Sequence, residues 1–105
     1  MKAARRDFET FPPDARRGAF RALTVAAEGG KAEIAKPLNG FDGGVFEIAL
    51  KHRGDAFRVV YAVRLGDDLW VIHAFQKKSK SGIKTPRAEI DLIRGRLKRM
   101  KAMLR

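Results

Sequence analysis

The fold is decided by the stretch "VFEIALKHRGDAFRVVYAVRLGDDLWVIHAFQKK", residues 45–78. It contains the runs "VFEIALK", "AFRVVYAVRL" and "LWVIHAFQKK", which are dense in the β-branched and aromatic residues that strands favour. The short polar segments "HRGD" and "GDD" separate the runs, whereas parallel neighbours would need a long crossover connection. The stretch therefore predicts three consecutive antiparallel strands.

The middle run alternates in the manner of a strand with two different faces. One face would carry Phe57, Val59, Tyr61 and Val63, and the other Arg58, Val60, Ala62 and Arg64. A turn centred on Asp67 and Asp68 would place Arg58 directly opposite Lys77 in the next strand. The pattern thus predicts cations that converge on one face near the rim of the sheet.

Helical patterns flank the strands on both sides. The segment "PPDARRGAFRALTVAAEGG" has proline at its start and glycines at its end, which is typical of a helix. Its apolar face is expected to contain Ala19, Phe20, Leu23, Ala26 and Ala27. From Thr85 and Pro86 a second helix is expected, with an apolar stripe at Ile90, Ile93, Leu97, Met100 and Leu104.

These elements together predict an α+β protein with a single domain over residues 1–105. We expect an N-terminal helix or helical hairpin, an antiparallel twisted sheet of three to four strands, and a C-terminal helix. A short additional strand near the N-terminus would supply the fourth strand.

Positive charge is concentrated at one end of the chain. The 23 Lys and Arg outnumber the 12 Asp and Glu, which gives a formal charge of +11. Residues 77–105 hold 11 basic and two acidic residues, or 11 − 2 = +9 of that charge. Such a surface favours polyanions, RNA and DNA among them.

Several classes of protein do not fit the composition. The chain has no cysteine and two histidines, so we expect neither disulfides nor a metal site, and no small-molecule cofactor. We find no apolar run of about 20 residues, so no membrane partner is expected. The N-terminus lacks the apolar core of a secretory signal, and a cytoplasmic protein is the default.

The chemistry open to Arg58, Lys77 and Lys78 is limited but specific. RNA carries its own nucleophile, the ribose 2′-OH, which a protein can align with the phosphate while stabilising the developing charge. Arg58 is suited to clamping the phosphate. A crowded lysine, or His52 as neutral imidazole, could accept the 2′-OH proton.

The segments "KPLNG", "VFEIALKHRGDAFRVVYAV" and "IHAFQKKSKSGIKTPRAEIDLIRGRLK" resemble the phage-derived HigB-type branch of the RelE/ParE toxin superfamily. The resemblance extends from about Arg16 to Lys98. It implies a toxin of a type II toxin–antitoxin pair, a ribosome-dependent endoribonuclease that cleaves mRNA and is neutralised by a cognate helix-turn-helix antitoxin. By position, Arg58 matches the arginine of the family's "yR" strand, and Lys77 and Lys78 match its basic strand end.

The chain departs from the family pattern at two places. The first strand often carries basic catalytic residues in RelE-like members, but here Glu47, Ile48 and Ala49 precede Lys51. The C-terminal tyrosine near the site is also absent, because the chain's one tyrosine is Tyr61, inside a strand.

The remaining polar and aromatic residues divide into surface contacts and core. The expected RNA contacts are Lys51, Arg53, Lys80, Lys84 and Arg87. His73 is expected to be a hydrogen-bonded core histidine, because buried polar groups normally find partners. Trp70, Phe75 and Tyr61 could stack on bases, but their apolar surroundings favour packing, with Trp70 at the sheet margin.

Two other functions remain open from the sequence. A ParE-like protein would use the same fold to poison DNA gyrase without nuclease chemistry. A plain RNA- or DNA-binding module would lay its basic C-terminal helix along phosphates.

Overall fold

The structure is a computed structural model and describes residues 2–41, 44–65, 68–77 and 86–103. A sheet of four antiparallel strands, in the order β1-β2-β3-β4, lies between two helical layers. The elements are helix α1 (Lys2–Glu9), helix α2 (Pro13–Ala27), strand β1 (Ala35–Pro37), strand β2 (Val45–His52), strand β3 (Asp55–Leu65), strand β4 (Asp68–Lys77) and helix α3 (Arg87–Met103). This confirms the predicted RelE-like α+β fold, with a helical hairpin and a fourth short strand, although that strand follows α2 instead of lying near the N-terminus.

Strand β3 separates the two halves of the core, as its alternation predicts. Its residues Phe57, Val59 and Tyr61 pack with α2, whereas Val60 and Ala62 pack under α3. The predicted α3 stripe is confirmed at Ile93, Leu97 and Met100, which are buried. Ile90 is half-buried, and Leu104 lies outside the described residues.

The apolar face of α2 differs from the prediction. Its buried stripe is Ala15, Ala19, Ala22 and Ala26, whereas Phe20 is 68% exposed and Ala27 is also exposed. Small side chains let the helix approach the sheet closely, and Phe20 points outward because it lies about 100° around the helix from Ala19. The close approach of helix and sheet also explains the glycine at position 18, because a Cβ on Gly18 would lie 3.0 Å from Leu50 Cδ2 of β2.

Strands β2 and β3 are joined by a tight turn at Arg53 and Gly54. Both residues have positive φ, 51° and 85°, which is typical of two-residue hairpin turns of type I′. The turn fixes the register, with His52 opposite Asp55 and Ala49 opposite Arg58.

The predicted pairing of Arg58 with Lys77 is wrong. Arg58 faces Phe75, and Lys77 faces Ala56, two residues away. The hairpin closes at Leu65 and Asp68 rather than around Asp67 and Asp68, and the register shifts again between Val60 and Tyr61. This second shift is a β-bulge at Ile72, which turns Ile72 toward the core under α3.

Among the helices of the described ranges, none combines the length and the apolar character that a membrane-spanning helix requires.

Candidate functional site

Helix α3 covers only part of one face of the sheet. The cluster beneath it joins Ile93, Leu97 and Met100 of the helix to strand residues. The other half of this face, by register, carries Glu47, Ala49, Lys51, Ala56, Arg58 and Lys77. None of these six belongs to the cluster under α3, and all but Lys77 keep some exposure. We call these residues the open half.

Arg58 lies at the centre of the open half, with Ala49 opposite it on β2 and Phe75 opposite it on β4. Its side chain is 12% exposed, and its Nε lies 3.7 Å from Oε1 of Glu47, whose side chain is 14% exposed. That distance allows an ion pair but is too long for a hydrogen bond. The Arg58 Nε is buried without a hydrogen-bond partner among the described residues, while the side chain as a whole keeps 12% of its surface exposed.

Two lysines share this face with Arg58. Lys77 ends β4 and pairs with Ala56, which lies two residues before Arg58 in β3. Paired residues and alternate residues of a strand share a face, so Lys77 lies diagonal to Arg58 on the same face. Lys77 is 7% exposed, whereas Lys51, opposite Ala56, is exposed. The structure therefore brings three of the predicted site residues to one face, although in a different register.

Other predicted site residues lie elsewhere. His52 lies two residues after Leu50 in β2, so the two side chains share a face of the sheet. Leu50 packs on the α2 side, and His52 therefore lies on the opposite face from Arg58. Arg53 is exposed in the β2–β3 turn, and Arg87 is exposed at the first residue of α3. Lys78, Lys80 and Lys84 lie outside the described residues.

His73 is a buried, hydrogen-bonded histidine, as predicted. Arg96 Nη1 lies 3.0 Å from Nδ1 of His73, Asp7 Oδ2 lies 3.3 Å from the same nitrogen, and Nε2 contacts the Glu89 carboxylate. The same Arg96 atom donates to Asp7 Oδ2 at 3.2 Å and to the carbonyl of Ile72 at 3.1 Å. We call Asp7, His73, Glu89 and Arg96 the His73 network. It joins α1, β4 and α3.

The His73 network borders the open half through Phe75, on the same face of the sheet. The His73 ring stacks on Phe75, with centroids 5.1 Å apart and planes 18° apart. Phe75 in turn faces Arg58 across the β3–β4 pair. The network thus holds the strand residue that packs beside the central arginine.

The aromatic residues mostly pack, as expected. Tyr61 is buried on the α2 side and stacks on Phe46 at 5.4 Å, and its burial raises the pKa of its phenol above the usual 10.0. A phenol on that face, held protonated, is no base for the open half. Phe75 is buried as well, and Trp70 is half-buried against the cluster under α3.

Four residues at or near the site were not predicted as part of it: Glu47, Asp7, Glu89 and Arg96. Strand alternation could have found Glu47, since Val45, Glu47, Ala49 and Lys51 share one face of β2. The His73 network had no comparable signal, because it joins residues far apart in the chain and a helical stripe does not reveal a buried arginine.

Taken chemically, the open half combines three cations, Lys51, Arg58 and Lys77, with the carboxylate of Glu47. A partly exposed guanidinium is suited to binding a phosphate oxygen, and lysines add positive charge beside it. Glu47 can orient the guanidinium or accept a proton.

This geometry defines a class: a RelE-like α+β protein, with a cationic open half beside the C-terminal helix. Residues 6–98 match the family described as Phage derived protein Gp49-like (DUF891), and the chain belongs to that family, one of RelE/toxin-like proteins. No curated protein sequence matches the chain at a significant level.

Proposed function

We propose that the chain is the toxin of a type II toxin–antitoxin system, of the HigB type, and cleaves mRNA on the ribosome. Its partner is a cognate helix-turn-helix antitoxin. The family supports the general assignment, since it is one of RelE/toxin-like proteins. The observation that carries the proposal of RNA cleavage is Arg58, a partly exposed arginine at the centre of the open half that shares its face with Lys51 and Lys77.

The proposed reaction uses the ribose 2′-OH as nucleophile. The 2′-oxygen attacks the adjacent phosphorus, the bond to the 5′-oxygen breaks, and the product carries a 2′,3′-cyclic phosphate. The proton of the 2′-OH passes to a base, and another proton goes to the departing 5′-oxygen. Arg58 holds the phosphate and stabilises the charge that develops on its oxygens.

Lys77, and Lys78 beyond it, are assigned to charge stabilisation and proton transfer at the end of β4. Lys77 lies diagonal to Arg58 on the same face. Glu47, 3.7 Å from the Arg58 guanidinium, is a second candidate base. His52 requires a different arrangement to take part, since it lies on the opposite face of the sheet.

The test is RNA cleavage in a ribosome-containing assay with Arg58 variants. We expect Arg58→Ala to lower the cleavage rate by about 10²-fold or more, because it removes the phosphate clamp. Arg58→Lys keeps the charge but loses the planar fork, so it should recover only part of the rate. Circular dichroism and thermal unfolding check that the variants fold.

Arg5→Ala is the matched control, because Arg5 is exposed on α1 and pairs only locally with Glu9. Its cleavage rate should equal that of the wild type. Full activity in Arg58→Ala would move the site elsewhere, and a product with a 3′-hydroxyl end would exclude attack by the 2′-OH.

A further inference from the structure

The outer side of α2 carries an aromatic residue that the core does not use. Phe20 is 68% exposed, although it lies in the middle of a 15-residue helix. Isolated exposed apolar residues are ordinary on protein surfaces, but a contiguous apolar patch marks an interaction site. The surroundings of Phe20 decide between the two.

Phe20 forms the boundary between two grooves. The first has a volume of about 450 Å³ and is lined by Phe8, Pro13, Arg16, Arg17, Phe20 and Arg21. The second has a volume of about 480 Å³ and is lined by Phe20, Leu23, Thr24, Ala27, Leu69 and Trp70. Because the grooves share Phe20, they form one apolar band along α2, which we call the α2 band.

The charge at one end of the α2 band is positive. Arg16, Arg17 and Arg21 line the first groove, where Arg17 pairs with Asp14 one helical turn earlier. The Nε of Arg16 is buried without a hydrogen-bond partner among the described residues. A carboxylate from outside would instead meet the guanidinium groups of the three arginines that line this groove.

We infer that the α2 band is the docking surface for an acidic amphipathic helix of a protein partner. Apolar side chains on one face of that helix fill the two grooves around Phe20, and flanking carboxylates meet Arg16 and its neighbours. Charge complementarity selects this occupant: the groove offers three arginines, and the chain as a whole carries +11.

The docking surface lies behind the proposed catalytic face. Helix α2 packs on the sheet face that carries Phe57 and Val59, whereas Arg58 lies on the other face. A helix docked on the α2 band therefore does not itself occupy the open half. The inference rests on the proposed function only in naming the antitoxin as the protein that supplies this helix.

The experiment measures binding of the polypeptide encoded beside this gene to the purified full chain by calorimetry. We expect Phe20→Ala to raise Kd about 10-fold or more and Phe20→Asp to raise it further, since buried aromatic anchors dominate such interfaces. Arg16→Gln should weaken binding mainly at low salt and flatten its salt dependence. Val25→Ala is the matched control, an exposed apolar residue of the same helix outside both grooves, and should change Kd less than about twofold.

Four outcomes would overturn the inference. The first is no complex with the wild type, and the second is unchanged Kd in both Phe20 variants. The third is self-association of the chain alone that Phe20→Ala abolishes, which would make a second copy the occupant. The fourth is binding to phosphatidylserine vesicles that the same variant abolishes. If the wild type cleaves no RNA but Phe20→Ala still weakens the complex, the proposed function fails and the docking surface stands.

Discussion

At the scale of single residues, the pair formed by Arg58 and Glu47 decides how the open half works. The two side chains are nearly buried, and their closest charged atoms are 3.7 Å apart. In the proposed reaction, Glu47 would either accept the 2′-OH proton or only orient the guanidinium. These two roles give different kinetics.

We expect Glu47→Gln to separate them. If Glu47 is the base, kcat should fall by about 10²–10⁴-fold, because an amide cannot take the proton. If it only orients Arg58, the amide keeps much of the geometry and kcat should fall far less. The measurement is the pH profile of single-turnover cleavage, and an unchanged profile in Glu47→Gln would return the role of base to Lys77 or Lys78.

Tyr61 gives a prediction about pH. Burial raises its pKa above the usual 10.0, so the folded state keeps the phenol protonated where the unfolded state ionises it. Its contribution to stability is therefore complete below pH 10.0 and is lost as the pH rises through the raised pKa.

We expect Tyr61→Phe to lose less stability than the wild type between neutral pH and pH values above 10.0, as measured by urea unfolding. Tyr61 is the only tyrosine, so titration of tyrosinate absorbance reports this group directly. A midpoint at or below 10.0 in the folded protein would contradict the raised pKa.

The sequence predicts residue placement well where periodicity decides it. Alternation along β3 places Arg58 on a face, and the structure confirms the two-sided packing of that strand. The exact neighbours of Arg58 could not be predicted, because the hairpin closes at Leu65 and Asp68, which moves the partner of Arg58 by two residues from Lys77 to Phe75. The predicted burial of Phe20 was wrong because the buried stripe of α2 passes through Ala19 and Ala26, and Phe20 lies about 100° around the helix from Ala19.

At the scale of elements, the His73 network holds α1, β4 and α3 together. Arg96 is its centre, with 8% exposure and hydrogen bonds to Asp7, to the Ile72 carbonyl and to His73. The carbonyl lies in the bulged segment of β4, so Arg96 also stabilises the irregular stretch that turns Phe75 toward Arg58.

We expect Arg96→Ala to destabilise the protein by about 2–4 kcal/mol, because it removes hydrogen bonds from buried groups and their desolvation is then uncompensated. Arg99→Ala, on the exposed side of the same helix, should change stability by less than about 0.5 kcal/mol. Denaturant unfolding of the two variants is the measurement. Equal stability of the two variants would mean that the network contributes little.

The sequence predicts where the strands and helices lie, but it does not predict the hydrogen bonds between polar side chains that join them. Runs of β-branched residues and the Ile93, Leu97 and Met100 stripe indicate where elements lie and which side is buried. A buried arginine inside such a stripe gives no periodic signal. The partly covered sheet face likewise depends on where α3 crosses the sheet, which the local pattern does not specify.

At the scale of the whole molecule, the two faces of the sheet have separate tasks in our proposals. The α3 side carries the open half and the exposed basic residues of α3, whereas the α2 side carries the α2 band. A protein partner and an RNA strand would then meet opposite sides of one thin sheet.

The charge on α3 leads to the last prediction. Lys98 and Arg99 are exposed on this helix, which covers part of the same sheet face that carries Arg58. If RNA runs from the open half along α3, these residues meet phosphates without reading sequence. The double variant Lys98→Ala/Arg99→Ala should then bind single-stranded RNA more weakly and reduce the slope of log K against log salt by up to about 1.4, or about 0.7 for each lost phosphate contact. Its kcat at saturating RNA should stay near that of the wild type, because neither residue lies in the open half.

The matched control is Arg5→Ala/Arg6→Ala, which removes two exposed charges from α1. Fluorescence anisotropy across a salt series compares the variants. Equal losses in both would mean that RNA responds to net charge alone rather than to a surface along α3.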